Sequence, residues 1–427
     1  MTVGTALRPE PEEVAGPPLT AVGALRARGR VRGGLPLLGP AFVAAIAYVD
    51  PGNVATNSAA GATYGYLLLW VVVVASLLAV LVQSLSAKLG LATGGNLAEL
   101  CRERYPRPVS LGLWVQAELV AMATDLAEVI GGAIALRLLF GLPLLVGGLL
   151  TGAVAFGLLA LQRHGYRLFE LVVGGLFAAV LLGFLVDLLL VHLDLPATAA
   201  GLTPRLQGPD SALLATGIVG ATVMPHAVYL HSALTQRRVP VADLGERRHV
   251  LRHQRLDISL AMGLAGLANV GMLVVAAAVY AGDRGAADLG AVHALLRDAI
   301  GPVASYAFAL ALLASGFASA GVGTLSGQVV MQGFVRRSIP LSVRRGVTLV
   351  PALVVVAVGV DPTRALVLSQ VVLSFGLPFA LVPLVLLTRR ADVMRELVNH
   401  RLTTCAAVVT TAMIVALNGF LVVRTFS

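Results

Sequence analysis

The stretch AIAYVDPGNVATN, residues 45–57, starts as an apolar helix and then sets Asp50, Pro51, Gly52 and Asn53 in four successive positions. An ionised carboxylate at the centre of a bilayer helix costs about 2.5–3.5 kcal/mol on insertion scales, so such a charge needs a partner. Pro51 removes a backbone donor and Gly52 loosens the chain, so the helix breaks where the charge sits. A second break follows in GIVGATVMPHAVYLHSA, residues 217–233, at Met224, Pro225 and His226. Neither segment contains a lysine or arginine to neutralise Asp50. The groups at the breaks suit a cation. Asp50 offers a hard anionic oxygen and Asn53 a neutral one. Unwinding exposes the carbonyls of Ala47 and Ala221, and Met224 adds a thioether. Sulfur of this kind is soft and suits Mn2+, Fe2+ and later transition metals better than Mg2+ or Ca2+. A methionine on an apolar helix is normally packing. Beside a broken helix and a membrane aspartate, Met224 reads as a ligand.

The elements that must carry these residues are membrane helices. Of 427 residues, 57% are hydrophobic and only 12% charged, against about 25% charged in soluble domains; mean hydropathy is +0.87. The two cysteines, Cys101 and Cys405, are far apart, which points to neither a disulfide framework nor a thiolate metal site. About 20 apolar residues cross a bilayer as a helix. That length predicts eleven spans near 36–62, 66–90, 111–140, 143–161, 168–191, 211–234, 256–281, 302–330, 343–360, 364–388 and 402–424. Residues 1–35 read as a disordered basic tail, and a signal peptide ending at Ala47 would be cut just before Asp50.

Basic residues test the count. The tail and every second loop hold 25 of the 31, including Arg102, Arg167, Arg248, Arg344 and Arg389. Five lie on the other side and Arg137 lies within a helix. Positive loops face the cytoplasm, which places the N-terminus inside and the C-terminus outside. The same rule accounts for the net charge of +9 without nucleic acid.

The two breaks occupy matching places in two groups of five spans. An odd number of spans per group inverts the second relative to the first. Interrupted helices at corresponding positions of inverted repeats mark a transporter's central site. Unwound backbone at that depth is tolerated only where it faces protein or a cavity. The predicted fold is therefore an all-α polytopic membrane protein with a 5+5 inverted repeat, residues 36–192 and 211–388, and an additional helix at 402–424.

Span three adds a line of acids. Glu118, Met122, Asp125 and Glu128 are spaced four, three and three apart, on one helical face. Either these acids pair with arginines to lock helices, or they relay protons; Arg344 and Arg345 at the start of span nine are candidate partners. His226, two residues past Met224, is either a proton gate or a hydrogen-bonded structural histidine. His231 reads as structural, and Asn269 and Asn418 as interhelical hydrogen bonders.

DPGN in span one and MPH in span six resemble the two signature motifs of the Nramp family, the proton-coupled divalent transition-metal transporters. The likeness runs from residue 36 to the end. It takes in QAELVAMATDLAE of span three and LSQVVLSFGLPFALVP of span ten, and is greatest to the bacterial manganese transporters. The resemblance implies a LeuT-like fold, with metal bound by Asp50, Asn53, Met224 and the carbonyls of Ala221 and Ala47. It adds Gln370 to the site and assigns the acids of span three and Arg344 and Arg345 to proton movement. Import of Mn2+ or Fe2+ is implied, with Co2+, Cd2+ and Zn2+ as further cargo, along with H+. No permanently bound cofactor and no obligatory protein partner are expected, and the setting is the lipid bilayer of a bacterial inner membrane. Rival readings are a sodium-coupled carrier of organic solutes, which would not need Met224, and an intramembrane enzyme. The latter has only GTLSGQ, residues 323–328, in its favour; no HExxH occurs.

Overall fold

Proline sets where many of the helices begin. Pro40, Pro51, Pro225, Pro302 and Pro362 each open a helix, where a missing N–H costs nothing and φ is already helical. Glycines in the left-handed region close others: Gly94, Gly141 and Gly359 follow helices at φ 68°, 69° and 79°.

The computed structural model describes residues 38–162, 166–236, 238–239, 243–280, 288–336 and 340–426. The expected tail, 1–35, lies outside the described residues. In chain order the helices are α1 (Pro40–Ala45), α2 (Pro51–Tyr64), α3 (Leu69–Thr93), α4 (Leu97–Arg104), α5 (Arg107–Phe140) and α6 (Leu144–Gln162). Then come α7 (Tyr166–Leu190), α8 (Leu195–Ala200), α9 (Gly208–Thr222), α10 (Pro225–Thr235), α11 (Leu244–Tyr280) and α12 (Leu289–Ala299). The last are α13 (Pro302–Val335), α14 (Leu341–Val358), α15 (Pro362–Thr388), α16 (Ala391–Met394) and α17 (Arg401–Phe426). Among the described residues there is no strand.

The packing has an internal symmetry. Helices α5 and α13 pack together most extensively. Their backbones meet where both lack a side chain: a Cβ on Gly316 would lie 3.0 Å from the Cα of Gly132. Around that axis the contacts come in matched pairs. Helix α5 meets α15 as α13 meets α7, and α5 meets α14 as α13 meets α6. Helix α2 packs on α11 as α10 packs on α3. Exchanging each helix of the first five-span group with its counterpart in the second maps each of these pairs onto its match.

Among the described residues nine helical stretches are long and apolar enough to cross a membrane, where eleven were expected. The difference has a local cause. Pro51–Thr93 forms one stretch of 43 residues, which as a straight helix would run about 65 Å, twice the hydrocarbon thickness. Gly65, at φ 58°, interrupts it. Unwinding at Asp50 leaves Pro40–Val49 as a short apolar helix, and Gly346–Val358 is the other. Four connecting helices, α4, α8, α12 and α16, were not anticipated. The first opens with a capping box between Asn96 and Glu99. Helix α11 starts well before the expected residue 256, so Arg247, Arg248, Arg252 and Arg255 are helical rather than loop residues. Asn418 reaches from α17 to Ser374 of α15, donating to its carbonyl and accepting from its hydroxyl, each at 2.8 Å. Cys101 is buried and Cys405 exposed, and both are free.

Candidate metal site at two helix breaks

At the first break, α1 tightens into a 3-10 turn, Ile46–Val49. Asp50 then leaves helical conformation, at φ −69° and ψ 169°, and caps α2. Its Oδ1 accepts the backbone N–H of Asn53 at 2.7 Å and the Asn53 side-chain amide at 2.8 Å. Its Oδ2 has no hydrogen-bond partner. At the second break α9 ends at Thr222, and Val223 and Met224 are non-helical before Pro225 opens α10.

The prolines explain which carbonyls come free. The α-helical partner of a carbonyl is the N–H four residues on. For Ala47 and Ala221 those positions are Pro51 and Pro225, which have none. Ala221 O instead accepts the Asn53 amide at 3.0 Å. One side chain therefore touches the carboxylate of the first break and the carbonyl of the second. The other carbonyls of the unwound turn are taken by neighbours: Tyr48 O accepts from Asn269 at 2.6 Å, and Val49 O from Ser315 at 2.6 Å.

Gln370 of α15 lies against the same turn. A Cβ on Gly52 would overlap its side-chain amide. Its Nε2 donates to Ser369, and its Oε1 has no partner. Met224, at the head of α10, belongs to the same buried cluster as Ala47 and Val49. Asp50, Asn53, Met224 and Gln370 are each 0% exposed, so this conformation closes the site to water from both sides. Among the described residues no three His, Cys, Asp or Glu side chains gather as a metal cage. The groups gathered at the breaks include a single acid, Asp50.

The acids of span three lie partly beside this site. Thr124 Oγ1 and His226 Nδ1 are 3.2 Å apart, joining α5 to α10. Asp125 is buried and close enough to His226 to act on it electrostatically. Glu128 is buried against α13, where a Cβ on Gly323 would press on its carboxylate. Glu118, a turn and more away, takes the indole N–H of Trp114 at 3.2 Å. The side chains of Arg344 and Arg345 lie outside the described residues. Ser326 of the GTLSGQ stretch donates to the His226 carbonyl at 2.7 Å, the role of a tie between helices.

Residues 41–424 match the family model described as natural resistance-associated macrophage protein-like, Nramp. The chain belongs to the Nramp family. This Nramp chain is 53% identical to the divalent metal cation transporter MntH of Deinococcus radiodurans, over 97% of its own length and 96% of the relative's. It is 50% identical to the MntH of Bacillus subtilis, over 92% and 93% of the two chains. Among solved structures it resembles a mutant of the Eremococcus coleocola manganese transporter, at TM-score 0.82 and 34% identity, covering 91% of this chain and 86% of that one. It shares the fold of Mhp1, a nucleobase-cation-symport-1 family transporter, at TM-score 0.62 and 16% identity, with 90% of each chain covered. The fold is thus the LeuT-like inverted repeat, with its first and sixth spans discontinuous, in a multi-pass membrane protein of a transporter family rather than an enzyme.

Several residues that hold the Nramp site in shape carry no motif. Tyr48 is hydrogen-bonded by Gln83, whose carbonyl faces His231 Nδ1 at 2.7 Å, which gives His231 its expected structural role. Asp257 of α11 caps α1 from outside, its two oxygens accepting Gly39 N–H at 3.1 Å and Ala41 N–H at 2.9 Å. Beside it, Arg238 pairs with Glu170 at 2.8 Å. A buried acid in a span is the one sequence signal that could have drawn attention to Asp257.

Proposed function

We propose that this chain imports divalent transition-metal ions, Mn2+ or Fe2+, together with protons, by alternating access across a bacterial inner membrane. The observation that carries the reading is the bond of Asn53 to both Asp50 and Ala221 O, which puts the donors of the two breaks in one buried place. The names of the relatives support divalent metal as the cargo class. Co2+, Cd2+ and Zn2+ share the chemistry and belong to the same test.

In this reading Asp50 supplies charge, while Asn53, Gln370 and the carbonyls of Ala47 and Ala221 replace lost water. Met224 biases the set toward softer ions. Pro51, Gly52 and Pro225 keep the carbonyls free. His226, Asp125 and Glu128 carry a proton away from Asp50 toward the N-terminal side, and Glu118, Arg344 and Arg345 complete that route. The N-terminus is cytoplasmic and the C-terminus outside, from the loop charges. Ten spans form two repeats, residues 36–192 and 211–388, and α17 is an eleventh. An inside-negative potential, worth about 2.3 kcal/mol per charge per 100 mV, draws the cation inward.

The test is Mn2+ uptake into proteoliposomes at acidic outside pH, with excess Mg2+ and Ca2+ present. Wild type takes up Mn2+ despite the competitors, and Met224→Ala becomes sensitive to them. Absence of Mn2+ uptake by folded, inserted wild type would refute the reading.

A further inference from the structure

We propose that a groove on the N-terminal side of the membrane binds the phosphate headgroup of an anionic phospholipid. A cavity of about 780 Å3 opens between α3, α11 and the start of α17. One wall is the α3 face carrying Leu81, Ser84, Leu85 and Lys88, and the other is the α11 face carrying Arg248, Leu251, Arg252 and Arg255. Both series step by three, four and seven residues, one stripe on each helix. Asn399 and Thr403 close the third side.

Four cations thus face one cavity, and Glu396 is the only acid among its lining residues. Arg248, Arg252 and Arg255 are exposed and make no ion pair among the described residues. Lys88 is only 8% exposed, and its ammonium donates to Asn399. Like charges gathered this way repel unless an anion joins them. Phosphate is such an anion, and arginine holds it with two parallel bonds.

The shape favours a lipid over a free ion. From Lys88 the α3 stripe runs through Leu85 and Leu81 toward Leu77, which is 65% exposed. On α11 it is followed by the exposed Leu256 and Leu260. The two helices close on each other further in, where a Cβ on Gly266 would lie 3.0 Å from Ser76. The groove is therefore charged at the membrane surface and apolar toward the hydrocarbon, which matches a headgroup with its acyl chains. Basic pockets between membrane helices recognise anionic headgroups by this combination.

The experiment measures lipid binding to the purified full-length protein by native mass spectrometry. It compares phosphatidylglycerol with phosphatidylcholine for wild type, Arg252→Ala/Arg255→Ala and a control, Arg107→Ala/Arg389→Ala, that removes two exposed arginines elsewhere on the same side. Wild type binds phosphatidylglycerol preferentially. The groove variant loses about thirtyfold in that affinity, a factor of about five per arginine, and the control loses none. Equal loss in both variants would overturn the proposal, because it would mean unspecific surface charge. Inorganic phosphate that stabilises wild type as well as phosphatidylglycerol does would also overturn it, assigning the groove to a free ion.

Discussion

Asp50 and Asn53 are held together by their own backbone geometry before any ion arrives. The cap at the start of α2 fixes Oδ1 and leaves Oδ2 without a partner. Gly52 matters for a different reason: its missing side chain is where the Gln370 amide sits. Gly52→Ala should therefore cost about 1–3 kcal/mol from overpacking. It should lower the thermal midpoint in detergent, and Gln370→Gly in the same chain should restore part of it. The unusual residues of this site were legible in the sequence, because aspartate, proline and methionine at membrane depth each break a rule. The free carbonyls were legible too, four residues before each proline. Thr124, Gln83 and Ser315 were not. Each is an ordinary polar residue on an apolar helix, and its meaning depends on which distant helix it meets.

Among the elements, α1 is the one most lightly held by its own chain. Its six residues end in a 3-10 turn, and Gly39 before it has no capping side chain. Asp257 of α11 supplies the cap instead, and the Arg238–Glu170 pair stands beside it. The N-terminal end of α1 is thus held by a few polar contacts, each worth about 1 kcal/mol, while Ala41, Val43, Ala44 and Ala45 are buried in the apolar core. Asp257→Asn leaves one acceptor for two N–H groups. It should shift the population toward a state in which α1 is displaced, by about fivefold. In a Cys405→Ser background, labelling of Ala44→Cys by a membrane-impermeant maleimide should rise by that factor; unchanged labelling would show that other contacts hold α1. The sequence pattern located the breaks but not this cap, since a capping residue more than two hundred positions away has no local signature.

Across the whole molecule, the matched helix contacts tie the two five-span groups together. Helices α5 and α13 meet backbone to backbone at Gly132 and Gly316, and the interrupted segments pack around them. The inverted repeat was readable from two breaks and an odd span number, without any side-chain contact. The span boundaries were less so, because α2 and α3 run into one apolar stretch and α11 extends its helix into a basic loop. Reporter fusions measure the topology directly. An alkaline phosphatase fused after Ser427 should be active in intact cells, and a green fluorescent protein fused there should be dark. The reverse pattern would move α17 to the other side and reduce the span count by one or raise it.

The bond between Asn53 and Ala221 O has a consequence for the order of events. It is a stitch across the two interrupted helices, present while the site is shut. In the proposed reading the same carbonyl is what an arriving ion must engage, while Asn53 meets the ion with its amide oxygen rather than the N–H that makes the stitch. Loading then means unpicking the stitch, because the cargo and the closure compete for the carbonyl oxygen of Ala221. Occupancy is thereby translated into freedom of one break to shift against the other. An empty carrier, with the stitch intact, is held in register.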